Sequence, residues 1–397
     1  MITPIPSLRV NNFAQIAAAH IEFGDLTVLV GPQATGKSLL LQWLKMAIDA
    51  GEVLHALKEA GHDVREPAGL IDLVFGEGMS AAWHAGHSQV LFNDSEVSPP
   101  AWARRLPKRR EGRVFYIPAH RALLLAEGWP APFLKLSADV PVVARLFSQN
   151  LYQRFSGRKA AALFPVERIL KGEYRDLIDR AVFHGGRVEL DKQGLTYRLR
   201  LTYQAGMALP FMTWTAGQRE FTPLLLGLYH VLPPRKILKQ AHIDWVVIEE
   251  PEMGLHPQAI AVFMLLVLDL LWRGYRVVIS THSPLILDIV WAIRQLAEFK
   301  SRPQLLSDAF GVDNNRSVQQ VMQNALKSDY RVHFLSVETS SNKVKSQDIS
   351  ALDPDSEREA ESHWGGLTDF SSKFGEAVRR AANEVEPDLF VEPDVAS

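Results

Sequence analysis

The 397-residue chain contains no cysteine. That absence excludes disulfides, thiolate metal sites and cysteine nucleophiles, and it suits a reducing compartment. Long apolar runs are missing as well. The most apolar stretch, Ala259–Trp272, is too short to span a bilayer and precedes a strand-like run, so a buried helix is expected there. The start, Met1-Ile2-Thr3-Pro4, lacks the basic-then-apolar layout of a signal peptide, which points to a cytoplasmic protein without a membrane partner. No internal repeat and no sustained heptad pattern occurs, so a long coiled coil is excluded. Charge of either sign is nearly balanced, at a net −2, but it is unevenly spread. Asp348 to Ser397 hold 13 acidic and 4 basic residues, leaving a mildly basic body before an acidic tail. Such a body permits contact with nucleic acid without requiring it. With 47% hydrophobic and 22% charged residues, the chain can fill a large core and hold two or three domains.

What is present begins with Gly31-Pro32-Gln33-Ala34-Thr35-Gly36-Lys37-Ser38. The apolar Leu26–Val30 leads into this run, and Leu39, Leu40, Leu41, Trp43 and Leu44 follow at helical spacing. Strand, glycine-bounded loop and helix start form the context of a Walker A loop. In that geometry successive backbone N–H groups and the helix N-terminus surround an anion, here the phosphates of ATP. Lys37 reaches the β- and γ-phosphates, and the Ser38 hydroxyl ligates Mg²⁺.

Patterning along the rest of the chain predicts short strands at Leu8–Phe13 and His20–Phe23, and a helix from Ser38 to Ala60. Alternation in 68–92 suggests antiparallel strands such as Ala81–His84 and Ser88–Phe92. A proline- and arginine-rich loop is expected over 95–111, then a buried strand Arg113–Ile117. Val140–Phe183 reads as helical with breaks at Gly157 and Gly172, and Val188–Leu201 as a hairpin around Lys192-Gln193-Gly194 with Leu195, Tyr197, Leu199 and Leu201 on one face. Buried parallel-type strands are expected at Trp245–Ile248 and Arg276–Ser280. Beyond Lys300 the pattern weakens, with a solvated linker at Ser346–Glu361 and one amphipathic helix at Phe370–Val385.

Three further motifs carry chemistry. Trp245–Ile248 ends in Glu249-Glu250-Pro251-Glu252, which is how a nucleotide hydrolase presents an acid to Mg²⁺ and a base to water beside the γ-phosphate. By itself it reads equally as an acidic turn. Val277-Val278-Ile279-Ser280-Thr281-His282 places a histidine just past a strand, within reach of a transferred phosphate, although a lone histidine there is commonly structural. Trp214-Thr215-Ala216-Gly217-Gln218 forms a capping-box pattern opening a helix. A helix start so built is an ordinary cap and also an anion site. The order of the four motifs favours the functional reading of all of them.

From about Leu8 to Ile293 the chain resembles ATP-binding-cassette (ABC)-type AAA ATPases of the branch that includes chromosome-structure (SMC) and break-repair ATPases. Within that branch it is most similar to compact bacterial proteins grouped with the overcoming-lysogenization-defect (OLD) ATPases. The family's Leu-Ser-Gly-Gly-Gln appears as Trp214-Thr215-Ala216-Gly217-Gln218, and its usual Asp at the first acidic position is Glu249. The resemblance implies an α/β P-loop NTPase fold of ABC type: a mixed core sheet with helices, an antiparallel β subdomain and a helical lobe. It implies that Glu249 serves Mg²⁺, Glu250 is the catalytic base, and His282 senses the γ-phosphate. Gly254-Leu255-His256-Pro257 would contact a second copy, while Thr215, Gly217 and Gln218 would act on ATP held by the partner's Lys37. Tyr116 to Arg121 stands where the family's glutamine loop lies, without the glutamine, leaving His120 and Arg121 as candidates. ATP-driven sandwich dimerisation, with a higher oligomer open, is the expected consequence.

The segments expected are an ATPase lobe over 1–125, a helical lobe with the hairpin over 126–213, a lobe completing the core over 214–300, and an extension over 301–397. No nuclease domain is legible after Ile293. Asp353, Asp355, Glu357, Glu359 and Glu361 read as a solvated stretch, and His84 and His87 lack a second ligand pair. An ATP-dependent switch for a separate effector protein is therefore expected, similar to standalone ATPases of bacterial phage-defence modules. The rival is a DNA-maintenance ATPase, motivated by Arg104-Arg105-Leu106-Pro107-Lys108-Arg109-Arg110 and by Arg154, Arg158 and Lys159. A transporter ATPase ranks third.

Overall fold

The structure is a computed structural model that describes residues 5–125, 127–156, 162–166, 169–193, 196–204, 206–233 and 238–385. Fourteen strands are found among the described residues: β1 (Ser7–Phe13), β2 (Ile16–Glu22), β3 (Leu26–Val30), β4 (Gln89–Phe92), β5 (Ser95–Glu96), β6 (Val114–Ile117), β7 (Ala162–Phe164), β8 (Arg187–Gln193), β9 (Thr196–Thr202), β10 (Ala208–Pro210), β11 (Trp245–Glu249), β12 (Arg276–Ser280), β13 (Tyr330–Glu338) and β14 (Lys343–Asp348). Ten form one mixed sheet in the order β5-β4-β1-β2-β14-β13-β3-β12-β11-β6, and four form an antiparallel sheet in the order β10-β9-β8-β7.

The centre of the large sheet is parallel, from β13 through β3, β12 and β11 to β6. β3 and β11 are buried at every position, which is why both read as continuous apolar runs rather than alternating ones. Helices cover both faces. α1 (Lys37–Glu59) follows β3 and packs its Leu40, Leu44 and Val53 into one core with Val247 and Val278. α2 (Pro67–Phe75), α3 (Pro99–Arg104), α4 (Val142–Phe155) and α5 (Gly172–Ile178) precede α6 (Ala216–Val231). α7 (Pro257–Trp272) is almost wholly apolar and packs on the opposite face with Val246 and Ile248. α8 (Pro284–Glu298), α9 (Pro303–Phe310), α10 (Arg316–Ala325), α11 (Glu359–Ser362) and α12 (Asp369–Val385) complete the described helices.

Several expectations are corrected. Residues 67–75 are helix α2, because Leu70, Ile71 and Val74 pack at helical spacing, and only Trp83 of Ala81–His84 makes a bridge, to Phe13. The loop over 95–111 contains α3, capped by Ser98. Within Val140–Phe183 a strand, β7, joins the antiparallel sheet. Gly157, Arg158, Lys159, Gly194 and Leu195 lie outside the described residues.

The largest correction concerns the chain beyond Lys300. β13 pairs in parallel with β3, and β14 pairs with β2, so residues 330–348 sit inside the large sheet rather than in an extension. The start of the expected linker is therefore strand. Its acidic residues Asp353, Asp355, Glu357 and Glu359 are exposed as expected. Glu361 is buried instead, accepting from Ser356 Oγ at 2.8 Å and paired with Arg358.

Candidate functional site

The loop between β3 and α1 is shaped by three residues with positive φ. Gly31 lies at 148°, Ala34 at 60° and Gly36 at 86°. Gly31 is fixed for a second reason: a Cβ there would meet the Leu335 carbonyl of β13 at 2.5 Å. Thr35 Oγ1 donates to the Pro32 carbonyl at 2.8 Å, and Gln15 Nε2 donates to the Ala34 carbonyl at 2.9 Å. Lys37 folds back over the loop, its ammonium donating to the carbonyls of Gly31 and Pro32 at 2.8 and 2.9 Å. Burial lowers its pKa to about 8, against the opposing pull of Glu250 and Glu252. A lysine so held is a cation in search of a closer anion.

The carboxylates of β11 face this loop from two strands away. Glu249 is buried; its Oε1 accepts from the Tyr116 hydroxyl at 2.7 Å and its Oε2 from the Ala119 amide at 3.0 Å. Burial raises its pKa, while Tyr116, the Ala119 amide and a hydrogen bond from Ser38 oppose that rise. Glu250 departs from the strand at φ 40°, left-handed for a non-glycine residue, and its amide is held by the Ser280 carbonyl at 2.9 Å. That conformation costs on the order of 1–3 kcal/mol and swings the carboxylate toward the loop. His282, just past β12, places Nε2 3.4 Å from Glu250 Oε1. Together Gln15, Gln33 to Leu39, Glu250 and His282 line a cavity of about 300 Å³.

The sequence motifs named neither Gln15 nor a role for Tyr116 or Glu252. Glu252 Oε1 accepts from Thr281 Oγ1 at 2.8 Å and the His282 amide at 2.5 Å, fixing the backbone that carries the histidine. Its acidic run was visible; its inward turn was not. Arg121, a bare candidate from sequence, is fully buried beneath the Glu249–Pro251 turn. His120 is exposed.

Thr215, Gly217 and Gln218 do not line the Lys37 cavity. The capping box forms as expected, with Thr215 Oγ1 accepting from the Gln218 amide and Gln218 Oε1 from the Thr215 amide, both at 3.3 Å. The Gln218 side chain also reaches inward, donating to the Val182 carbonyl and the Tyr203 hydroxyl at 3.2 Å. It is committed to packing, so only the turn's backbone and Thr215 face outward chemistry. Gly217 lies against Gly254, where a Cβ would meet the Gly254 carbonyl at 3.2 Å.

The donor set suits Mg²⁺ and a triphosphate. Ser38 and Glu249 offer adjacent hard oxygens, and among the described residues no three His, Asp or Glu side chains cluster to hold a metal alone. A divalent ion here needs oxygens from a phosphate to complete its shell.

Residues 149–288 match the family described as "AAA domain, putative AbiEii toxin, Type IV TA system". Over that stretch the chain is similar to an AAA domain. The phosphate loop lies before the matched stretch and stands on its own geometry. Among solved structures, the chain is similar to one described as the SMC head domain from Thermotoga maritima. Identity is 12% and the TM-score 0.38, over 87% of this chain and 99% of that one. A second, described as the SmcHead bound to the C-winged helix domain of ScpA, shares 10% identity with a TM-score of 0.42, over 87% and 97%. A comparison with curated proteins finds no match.

Proposed function

We propose that this ATPase is a Mg²⁺-dependent ATP-hydrolysing switch whose two nucleotides are sandwiched between copies, and which controls a separate effector. The observation that carries the reading is the pairing of Glu250 with His282 at the mouth of the Lys37 cavity. Glu250 accepts a proton from water as its oxygen attacks the γ-phosphorus. The bond from that phosphorus to the β,γ-bridging oxygen breaks, and ADP departs with the electron pair. His282 lies within reach of the transferred group, and Lys37 neutralises charge on its oxygens. Ser38 and Glu249 would hold Mg²⁺, which would supply further electrostatic neutralisation of the phosphates.

The absence of Thr215 and Gly217 from the cavity supports a site completed by a second copy, whose capped helix start would supply hydroxyl and backbone donors. An AbiEii-type family description is compatible with a role in bacterial antiviral defence, where closure would act on the effector. Glu250→Gln tests the reading. It should abolish turnover, keep ATP affinity and accumulate a dimer with ATP and Mg²⁺ on a sizing column; normal hydrolysis by this variant would falsify the assignment.

DNA maintenance is the second reading, motivated by the exposed cations Arg104, Arg105, Lys108, Arg109 and Arg110 beside α3. It requires DNA affinity that falls steeply with salt and that is lost when those side chains are neutralised.

A further inference from the structure

Arg121 has no exposed surface, and its guanidinium satisfies carbonyls from three separate elements. Nη1 donates to Glu249 and Glu250 at 3.2 and 3.4 Å, and Nη2 to Pro251 at 3.3 Å, clamping the turn that holds the left-handed Glu250. Nη1 also reaches the carbonyls of Pro118 and Ala119 at 3.4 and 3.3 Å, on the loop whose Ala119 amide binds the Glu249 carboxylate. Nε donates to the Glu220 carbonyl of α6 at 3.1 Å, and the Glu220 carboxylate stands 3.9 Å from Nη2. Glu220 Oε2 is buried without a hydrogen-bond partner, and Arg121 is the foremost of the cationic groups that compensate it, ahead of His120 and Arg219. One rigid planar group therefore joins the carboxylate turn of a site to the first turns of the helix that begins at Thr215.

On the sandwich reading above, on which this inference rests, those two ends belong to different nucleotides. The turn serves the ATP of its own copy; the helix start caps the ATP of the partner. We propose that Arg121 is the positioning residue that couples the two sites, so that engagement of α6 by the partner's nucleotide sets the geometry of Glu250 in the same copy. A guanidinium fork cannot shift with α6 and leave the three carbonyls of 249–251 where they were. The two sites then fire together, and the ATP dependence of turnover is sigmoidal.

The test uses mixed dimers of full-length protein, made by co-expressing two differently tagged copies, one wild type and one Arg121→Gln. A coupling clamp leaves well under half of the wild-type rate, because the altered copy supplies the carboxylate turn at one site and the helix start at the other. A residue that supports only its own turn leaves half, and that result overturns the proposal. Glu220→Gln keeps the buried cation and every carbonyl while loosening the helix side. It should bring the Hill coefficient down to one, with nucleotide affinity changed by less than about twofold. An unchanged Hill coefficient counts against coupling and covers the case in which the Arg121 variant does not fold. Wild-type protein that neither hydrolyses ATP nor dimerises would overturn the reading of the site itself, and that is recorded before any variant is made.

Discussion

The Tyr116 hydroxyl donates to the Glu249 carboxylate at 2.7 Å, joining the edge strand β6 to the C-terminal end of β11. Burial and the neighbouring carboxylate push the phenol well above its ordinary pKa, so it remains a donor at all physiological pH. Ser38 bonds the same carboxylate, so Glu249 links the start of α1 to this phenol.

Tyr116→Phe removes one hydrogen bond to a buried charge and leaves an oxygen of Glu249 undersatisfied. The expected loss is about 1.5–3 kcal/mol of unfolding free energy, read from urea melts of nucleotide-free protein. The loss should shrink when ATP and Mg²⁺ are added, since Glu249 then has another cationic partner. Equal losses with and without ATP and Mg²⁺ would place Glu249 outside the metal site.

Lys37 makes nucleotide binding pH-dependent. Burial lowers its pKa to about 8 from 10.5, so between those values the unfolded chain holds a proton that the folded, ligand-free protein has released. By linkage, this one group adds stability as pH rises from about 8 toward 10.5 and adds none of that gain below 8. Bound phosphate reverses the balance by favouring the ammonium. ATP binding at pH 8.5 to 9 should therefore take up a proton, seen as a dependence of calorimetric heat on buffer ionisation enthalpy, and affinity should weaken above about pH 8. Lys37→Arg keeps the charge without that titration and should flatten the effect. Proton release on binding would contradict it.

The centre of the large sheet was legible because its signals are local. The run into Gly31–Ser38, the capping box at Thr215 and the apolar β11 and β12 each carry their own periodicity or cap, and each forms where it was expected. What stayed hidden depends on distant partners. β13 alternates only partly, with Arg331 and His333 on a strand whose neighbours are β3 and β14, so its place beside the phosphate strand has no signature of its own. His333 is buried because its Nε2 meets the Glu22 carbonyl at 2.9 Å, a contact 311 residues away in sequence. Arg121 could not be ranked for the same reason. A lone arginine after a strand looks solvated until six carbonyls from three elements converge on it.

Thr215 separates stability from turnover. Thr215→Ala removes the acceptor for the Gln218 amide and should cost about 1 kcal/mol as well as most of the ATPase rate. Thr215→Asn restores a cap of equal quality but has no hydroxyl to offer a partner's phosphate, so it should regain stability and stay slow. An Asn variant with the full wild-type rate would reduce Thr215 to a helix cap.

Gly365 connects the far end of the chain to the phosphate loop. It sits at φ +68°, and a Cβ there would meet the Phe334 ring at 2.7 Å and Val30 at 3.1 Å, one residue before Gly31. Gly365→Ala therefore forces a left-handed non-glycine residue, at about 1–2 kcal/mol, and pushes on a ring packed beside β3. Since the carbonyl of Leu335, the next residue, abuts Gly31, displacement of Phe334 should spread to the loop. The expected result is a lower urea midpoint together with weaker binding of a fluorescent ATP analogue by about threefold to tenfold. Destabilisation without any change in nucleotide affinity would show that the turn at Trp364–Gly366 props up the sheet and has no purchase on the phosphate loop.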